Sequence, residues 1–378
     1  MTTHGMWRHL DRLPVADPAA IVSLGEGDTP LVDISATVGK AVGLQRLWIK
    51  CEDRNPTGSF KARIASVAFS LVKERGLAGA VGTSSGNGGA AAAAYAAAAG
   101  SRVVLFTLSD IVGQKLREIV AVGGIARRVT DVGHDAASTR TVADLIAAAA
   151  AEAQCYPMLT GFHYAPEAMT GVQTIAYELA EQLPQAARVY APVGGGGLLT
   201  GLHHGYRDLG ATGPMLVGVQ PAGAGSLRAA VQGRPEGITG QVSTTVSGLQ
   251  MAVLYDATGA PTALRETGGH DVAVTDTQVL AAQHLLARYG LLVEPAGATA
   301  LAGAIDDLEH GRLDAGEPIV VIATGAGHKD LDALDRLVAG RLADLGDETG
   351  VPVIGSDQVA ETLVSLLNHR PATTGALR

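Results

Sequence analysis

The sequence predicts an open α/β protein, and three observations support this prediction. Short runs rich in Val and Ile alternate with helical patterns, which is the rhythm of βαβ units. The strand-like runs lack polar alternation, which is typical of a parallel sheet covered on both faces. Clusters of glycine and serine follow several of these runs, where open α/β proteins bind their ligands.

The predicted elements follow one another along most of the chain. The strand-like runs lie at 46–50, 79–83, 103–108, 126–129, 189–193, 216–219 and 318–323. The helical patterns lie at 63–75, 88–99, 111–122, 136–153, 167–182, 198–209 and 277–289. The last segment contains a Gly-Val-Pro break and a further helical pattern at 359–368, and we expect it to form a tail.

Composition narrows the class of protein. The chain has 378 residues, and its 28 Lys and Arg against 37 Asp and Glu give a net charge of −9. The length suggests two domains, and the acidic balance argues against nucleic acid as the main partner. Because no signal-peptide core or membrane-spanning run is visible, we expect a soluble, cytoplasmic protein that has no membrane partner. The two cysteines provide neither a disulfide framework nor metal-ligand spacing, so no metal is expected.

A lysine lies in the first glycine-containing cluster, 55–61 (NPTGSFK). Lys61 is at the turn from a predicted strand into a predicted helix, among small and apolar residues. Desolvation at such a position lowers the pKa of the amine and makes it a nucleophile toward aldehydes. Considered alone, Lys61 fits a solvated surface lysine better.

Three further clusters also follow predicted strands. Segment 83–89 (TSSGNGG) suits a carboxylate at a helix N-terminus, or is an ordinary helix cap. Segment 192–198 (PVGGGGL) exposes backbone amides that suit a phosphate, with a flexible turn as the alternative. In segment 323–330 (ATGAGHKD), Thr324 offers a hydroxyl. Together with Lys61, these clusters predict a phosphorylated aldehyde cofactor, from which the glycines keep side chains away.

These motifs resemble those of the tryptophan-synthase-β-like (fold type II) pyridoxal-phosphate enzymes, and most nearly the threonine synthase and threonine dehydratase branch. The resemblance also includes segments 25–31 (GEGDTPL), 171–178 (GVQTIAYE) and 293–298 (VEPAGA). It implies two open parallel-sheet α/β domains with pyridoxal 5′-phosphate in the cleft between them, in a homodimer. The implied domains are a large cofactor-binding domain, a small mobile domain and a C-terminal tail, at 1–78 with 159–345, at 79–158 and at 346–378.

The resemblance also implies roles for residues around the cofactor. Lys61 should hold the cofactor as a Schiff base and later move the α-proton of the substrate. The other implied cofactor-binding residues are Phe60 beside the ring, Asn87 on the phenolic oxygen, Gly194, Gly195, Gly196 and Gly197 around the phosphate, Leu198 behind them, Gly248 at the ring edge and Thr324 on the pyridine nitrogen. Phe60 serves core packing equally well, and Gly248 is as easily outside the site as in it.

The substrate is implied to lie against segment 84–88. Ser84 and the neighbouring amides of Gly86, Asn87 and Gly88 should take the substrate carboxylate. Ser85 matches the hydroxyl that acts as an acid on the opposite face in serine racemase, or caps the helix. Glu294 is expected to be structural, and His163 and His328 are expected to be loop or capping residues.

Thr324 favours elimination chemistry. A neutral hydroxyl holds the pyridine nitrogen less protonated than an Asp would, and a short-lived carbanion favours loss of a β-leaving group over transamination. The resemblance thus implies elimination or β-replacement on a small hydroxy- or O-activated amino acid, through an aminoacrylate or aminocrotonate intermediate. The alternatives are threonine synthase, which converts O-phosphohomoserine to threonine, and a catalytically silent regulator that binds the cofactor or an amino acid.

Two departures weaken the threonine synthase alternative. The residues after Lys61 are Ala62 and Arg63, as in threonine dehydratase and serine racemase. After Asn87 the chain has two glycines where threonine synthases carry a hydroxyl residue. We expect Arg63 to be a surface helix arginine rather than a ligand of an anionic substrate group.

Overall fold

The computed structural model describes residues 4–210, 212–234, 241–344 and 353–368. The chain divides into two compact units, residues 1–330 and 331–378. The strands of the described residues are β1 (Leu31–Asp33), β2 (Leu47–Cys51), β3 (Gly79–Ser84), β4 (Arg102–Leu108), β5 (Ile125–Val129), β6 (Tyr156–Met158), β7 (Arg188–Pro192), β8 (Met215–Pro221), β9 (His270–Val274) and β10 (Ile319–Ala323).

The helices of the first unit lie mainly between these strands. They are α1 (Lys40–Val42), α2 (Lys61–Glu74), α3 (Asn87–Ala98), α4 (Gly113–Ala121), α5 (Ala136–Glu152), α6 (Pro166–Gln182), α7 (Gly197–Asp208), α8 (Ser226–Val231), α9 (Gly259–Thr267), α10 (Asp276–Arg288) and α11 (Pro295–Glu309). Among the residues described, no helix is long and apolar enough to cross a membrane.

The strands form two sheets, which confirms the predicted fold class. One sheet has the order β1-β2-β10-β7-β8-β9, and all its pairs are parallel except β1 with β2. The other is parallel throughout, with the order β5-β4-β3-β6. Its strands all come from the segment expected to form the small domain, but that this segment moves as a body remains a prediction.

The interior strands of the six-stranded sheet are buried on both faces, as their apolar sequences predicted. In β10, Val320 and Ile322 pack into the cluster that contains α2, α6 and α7, while Val321 and Ala323 pack with α10 and α11. Side chains of a strand alternate between the two faces, so a strand with a helical layer on each face must be apolar throughout.

Each predicted strand is present, with its ends shifted by at most two residues. The sequence analysis missed β1, β6 and β9, because two are three residues long and β9 begins with the polar pair His270 and Asp271. It also missed helices α1, α8, α9 and α11, the last of which starts with Pro and contains two glycines. Pro at the first helical position is nonetheless compatible with a helix, since that amide has no partner within the helix.

The second unit contains α12 (Leu331–Asp344) and α13 (Val359–Asn368). Helix α13 coincides with the helical pattern predicted at 359–368. The rest of the expected tail, 346–352 and 369–378, lies outside the described residues.

Candidate active site

A cavity lies where the carboxyl ends of strands from both sheets meet. The predicted site residues that line it are Phe60, Lys61, Ser84, Ser85, Asn87, Gly88, Gly194, Gly195, Gly196, Gly197, Leu198, Gly248 and Thr324. Gly86 does not line the cavity. Because parallel strands present their carboxyl ends at the same edge, segments distant in sequence converge here.

Lys61 begins helix α2, and the turn before it is fixed against the end of β10. The Phe60 amide donates to the Thr324 carbonyl at 3.2 Å, and the Ala326 amide donates to the Gly58 carbonyl at 2.9 Å. An isolated antiparallel bridge pairs Ser59 with Gly325. The position of the lysine therefore depends on a long-range contact and not on its own helix alone.

The Lys61 amine has unusual acid–base properties. Burial lowers its pKa to about 8, although the negative charge of Asp256 opposes part of this shift. Its Nζ atom lies 4.4 Å from the centroid of the Phe60 ring. A larger share of neutral amine at physiological pH makes Lys61 a better nucleophile and base than an ordinary lysine.

The four consecutive glycines connect β7 to α7. The amides of Gly194, Gly195 and Gly196 donate to no acceptor among the described residues. Gly196 has φ +91°, and a Cβ on Gly197 would lie 2.4 Å from the Cε atom of Met169. Unpaired amides that open into a cavity at a helix N-terminus suit the oxygens of a phosphate.

Ser84 caps helix α3 from the end of β3. Its Oγ atom accepts the amides of Gly86 at 2.9 Å and Gly89 at 2.6 Å. The Ser84 proton is still available to donate into the cavity. The hydroxyl of Ser85 therefore does not serve as the cap, and it lines the cavity without a hydrogen-bond partner in the described structure.

Asn87 is tied to Glu294. The Nδ2 atom of Asn87 donates to Oε1 of Glu294 at 2.5 Å, and the Oδ1 atom of Asn87 is buried without a partner in the described residues. The other oxygen of Glu294 lies 2.8 Å from the Nζ atom of Lys115. The structural role expected of Glu294 thus includes a direct contact with a predicted site residue.

Sequence reasoning missed Asp256 and Tyr255. The buried Asp256 carboxylate accepts the amides of Phe162 and His163, each at 3.0 Å, and the Asp256 amide donates to the Gly195 carbonyl at 3.0 Å. Burial raises the pKa of Asp256. Tyr255 lines the cavity, with its hydroxyl 3.3 Å from Oγ1 of Thr83. No local pattern around these two residues indicated a site.

Arg63 is not the surface arginine that the sequence suggested. Its side chain is fully buried and pairs with Glu52 at 2.7 Å and Glu178 at 2.6 Å. Burial alone would lower the pKa of Arg63, but these two carboxylates raise it above its ordinary value. Lys50 also pairs with Glu178, at 2.6 Å. Arg63 therefore holds α2 to its neighbours and binds no substrate group.

The residues of the cavity fit a phosphorylated aldehyde. Unpaired amides at 194–196 suit its phosphate, and the Lys61 amine suits its aldehyde. The Asn87 Oδ1 atom is buried without a protein partner in the described structure, and Thr324 lines the same cavity, where a heteroaromatic ring would lie. Buried polar groups normally have partners, so a ligand accounts for this set.

The comparisons with known proteins agree with this chemistry. A family model described as "Pyridoxal-phosphate dependent enzyme" matches residues 22–325. Threonine synthase of Methanocaldococcus jannaschii is 35% identical over 88% of this chain and 82% of its own. Threonine synthase of Mycobacterium leprae is 32% identical over 93% of this chain and 95% of its own.

Solved structures show the same fold. Maize serine racemase superposes with a TM-score of 0.67 at 26% identity, covering 84% of this chain and 93% of its own. The processed form of threonine deaminase isoform 2 from Solanum lycopersicum has a TM-score of 0.68 at 23% identity, covering 91% and 90% of the two chains. The second likeness concerns the fold alone.

Proposed function

The chain belongs to the family of pyridoxal-phosphate-dependent enzymes, and we propose that it acts on a small amino acid whose β-substituent is uncharged, such as a β-hydroxyl. It is a lyase, and its cofactor is pyridoxal 5′-phosphate. In the proposed reaction the β-substituent leaves. Hydrolysis then gives a 2-oxo acid and ammonia, or an incoming nucleophile takes the vacated position.

The charge of the cavity wall supports this choice of substrate. Among the described residues that line it, Lys61 is the one cationic side chain, and Arg and His are absent. The Lys61 amine is needed for the cofactor aldehyde, and the amides at 194–196 are needed for the cofactor phosphate. A second phosphate, carried by the substrate, would be buried without a cation, which costs several kcal/mol.

The rest of the wall also favours a small, uncharged side chain. Leu108, Val132, Leu249 and Met251 give it an apolar part, and Thr160 contributes a hydroxyl. Such a surface accommodates a methyl group or a hydrogen beside the reacting hydroxyl, as in threonine or serine. An ionised substituent would lose its hydration there without replacement.

Each residue has a proposed task. When bound, pyridoxal phosphate withdraws electrons from the substrate α-carbon and so makes its proton acidic. The Lys61 amine, with its lowered pKa, accepts that proton. The Ser84 hydroxyl donates to the substrate carboxylate, and Ser85 donates a proton to the departing hydroxyl. The neutral Thr324 hydroxyl would be the partner of the ring nitrogen, and this would limit side reactions such as transamination.

A substrate panel tests the proposal. The holoenzyme would be incubated with L-threonine, L-serine, their O-phospho and O-acetyl forms, and O-phosphohomoserine, and 2-oxo acid, ammonia and phosphate would be measured. We expect kcat/KM for threonine or serine to exceed that for every phosphorylated compound by at least about tenfold. Preferential release of phosphate would overturn the proposal. O-acetylserine with added nucleophiles separates replacement from elimination.

The second candidate is threonine synthase activity on O-phosphohomoserine. The two curated relatives at 35% and 32% identity carry that name and favour it. In the same panel, O-phosphohomoserine would then yield equal amounts of phosphate and threonine. Because the described residues that line the cavity include no cation besides Lys61, we favour the first candidate.

We also propose the following organisation of the molecule. Residues 79–158 form a small domain that moves when substrate binds, and residues 1–78 and 159–345 form the cofactor-binding domain. The enzyme is a homodimer, as the family resemblance implies, and it works in the cytoplasm. Light scattering of the purified holoenzyme should give twice the 38.4 kDa of one chain, and a mass of 38.4 kDa would exclude the dimer.

A further inference from the structure

We propose that Lys115 is a positioning residue of the active site, which acts through Glu294 to orient the side-chain amide of Asn87 toward the cofactor. The inference rests on the proposed role of Asn87 and goes beyond it. Lys115 belongs to helix α4, which is associated with the four-stranded sheet, whereas Glu294 directly precedes helix α11 of the larger sheet. The relay of Lys115, Glu294 and Asn87 therefore connects the elements of the two sheets that surround the site.

The Lys115 side chain is fully buried and lies behind segment 84–88, against which the substrate is proposed to bind. A Cβ on Gly86 would lie 2.2 Å from the Cδ atom of Lys115, so the loop passes directly over the lysine stem. The Nζ atom lies 2.8 Å from Oε2 of Glu294 and donates to Oγ of Ser247 at 3.0 Å. Lys115 and Glu294 thus form a buried ion pair, and its attraction favours one orientation of the Glu294 carboxylate.

The Glu294 carboxylate then fixes Asn87. Its Oε1 atom accepts from Nδ2 of Asn87 at 2.5 Å. A carboxylate oxygen accepts hydrogen bonds, so the NH₂ group of Asn87 faces Glu294. A Cβ on Gly325 would lie 2.1 Å from Oε1 of Glu294 and 3.2 Å from Nδ2 of Asn87. Glycine at 325 therefore leaves the space in which these two side chains meet.

This orientation has a consequence for ligand binding. With Nδ2 held by Glu294, the Oδ1 atom of Asn87 is left buried and without a partner among the described residues. An unsatisfied buried acceptor is unfavourable, and a bound ligand relieves it. Without the Lys115 ammonium, the buried Glu294 carboxylate would lose its cationic partner, and its orientation toward Asn87 would no longer be favoured. Asn87 would then no longer be held.

Helix α4 provides a matched control. Its Glu118 pairs with Lys329, and Lys329 also donates to the Thr57 carbonyl at 2.9 Å. Glu118→Gln thus breaks the other ion pair of the same helix and leaves Glu294 and Asn87 untouched. A difference between this variant and Lys115→Met separates orientation of Asn87 from simple attachment of the helix.

The test is a double-mutant cycle on cofactor binding. Cofactor-free protein would be titrated with pyridoxal 5′-phosphate, and the dissociation constant and the visible absorbance band would be recorded. We expect Lys115→Met to raise the dissociation constant by about tenfold and to shift the band, and Glu118→Gln to stay within about twofold. In an Asn87→Ala background, Lys115→Met should change the constant by less than about twofold. Circular dichroism and Tm would verify folding.

The outcomes are separable. A folded Lys115→Met protein with the wild-type constant and band would overturn the inference, as would an equal effect in the Asn87→Ala background. An Asn87→Ala protein with unchanged cofactor binding would overturn it too, by removing Asn87 from the cofactor site. If Lys115→Met does not fold, Glu294→Gln keeps the shape and removes the charge, and the same non-additivity is required of it. Since no substrate is used, failure here is distinct from failure of the proposed reaction.

Discussion

The two sheets differ in how completely they are buried. Strand β10 of the six-stranded sheet is buried at every residue, and β7 at all but the first. In the four-stranded sheet, three of the seven residues of the interior strand β4 are not buried, and the edge strand β5 has no buried residue. Helix α5, which follows β5, buries only four of its seventeen residues. Buried contacts set local stability, so we expect the smaller sheet to open more readily.

The residues proposed to bind the cofactor and those proposed to bind the substrate are also divided between the two sheets. The Lys61 turn, the glycines at 194–197 and Thr324 all follow strands of the six-stranded sheet, whereas the 84–88 loop follows β3 of the other sheet. The proposed cofactor groups therefore lie mainly on the more buried side, and the proposed substrate groups on the less buried side. A cofactor must stay bound through many turnovers, but a substrate must enter and leave, and this placement suits both needs.

We expect the largest effect from Lys61→Ala, which tests the placement of the cofactor on the six-stranded sheet. We expect turnover to fall by at least about a thousandfold, since both the attachment point of the cofactor and the proposed base are removed. The visible absorbance band of the Schiff base should disappear. Lys73→Ala, an exposed lysine on the same helix, is the control and should behave as wild type. Substantial turnover by Lys61→Ala would place the chemistry elsewhere.

Hydrogen exchange tests the difference in stability directly. Amides in β5 and α5 should exchange at least about a hundredfold faster than amides in β7 and β10, which corresponds to roughly 3 kcal/mol less opening free energy. Mass spectrometry of peptides from each segment would measure this under native conditions. Equal protection of the two sheets would contradict the expected difference in their stability and remove the support for a mobile small domain.

The pH dependence of cofactor attachment tests the environment of Lys61 on the more buried side. The neutral amine attacks the aldehyde, and burial lowers the Lys61 pKa to about 8. The attachment rate of the cofactor-free protein should therefore rise roughly tenfold from pH 7 to pH 9 and then level off. Stopped-flow absorbance would record it. A lysine with the ordinary pKa of 10.5 would show no plateau in this range, and that profile would contradict the assigned environment.

The smallest expected effect is that of Ser84→Ala on the substrate side. Loss of a donor to the substrate carboxylate should raise KM by about threefold to tenfold, and loss of the cap to α3 should lower stability by about 1 kcal/mol. The cofactor dissociation constant should not change. Gly196→Ala, which forces a side chain onto φ +91°, should do the reverse and weaken cofactor binding with little change in KM. If both variants changed KM and the cofactor dissociation constant to the same extent, the proposed division of substrate and cofactor groups between the two sheets would be wrong.

Several features could be predicted from the sequence because they depend on neighbouring residues. Apolar runs without alternation predicted strands buried on both faces, and β10 confirms this. Glycines after strands predicted a site at the carboxyl ends, because that backbone exposes its amides wherever the chain turns there. The family and its cofactor follow from motifs of this local kind.

The roles of individual charged residues could not be predicted in the same way. Arg63 reads as a helix arginine in sequence, and only the packing of α2 against α6 brings it to Glu178, 115 residues away. Gly86 and Gly325 were expected to clear space for a flat cofactor. In the structure, Cβ atoms on these residues would clash with Lys115 and Glu294, so these glycines make room for the relay.

By itself, the sequence determined the fold class, the strand ends that carry the site and the chemistry of the cofactor, because periodicity and turn formation are properties of short segments. Only the tertiary structure decided which charges meet. Asn87 and Glu294 are 207 residues apart, and Asp256 reaches the glycine turn from a loop with no motif. Side-chain pairing inside a protein depends on distances of a few ångströms, which the packing of whole elements sets and no local pattern encodes.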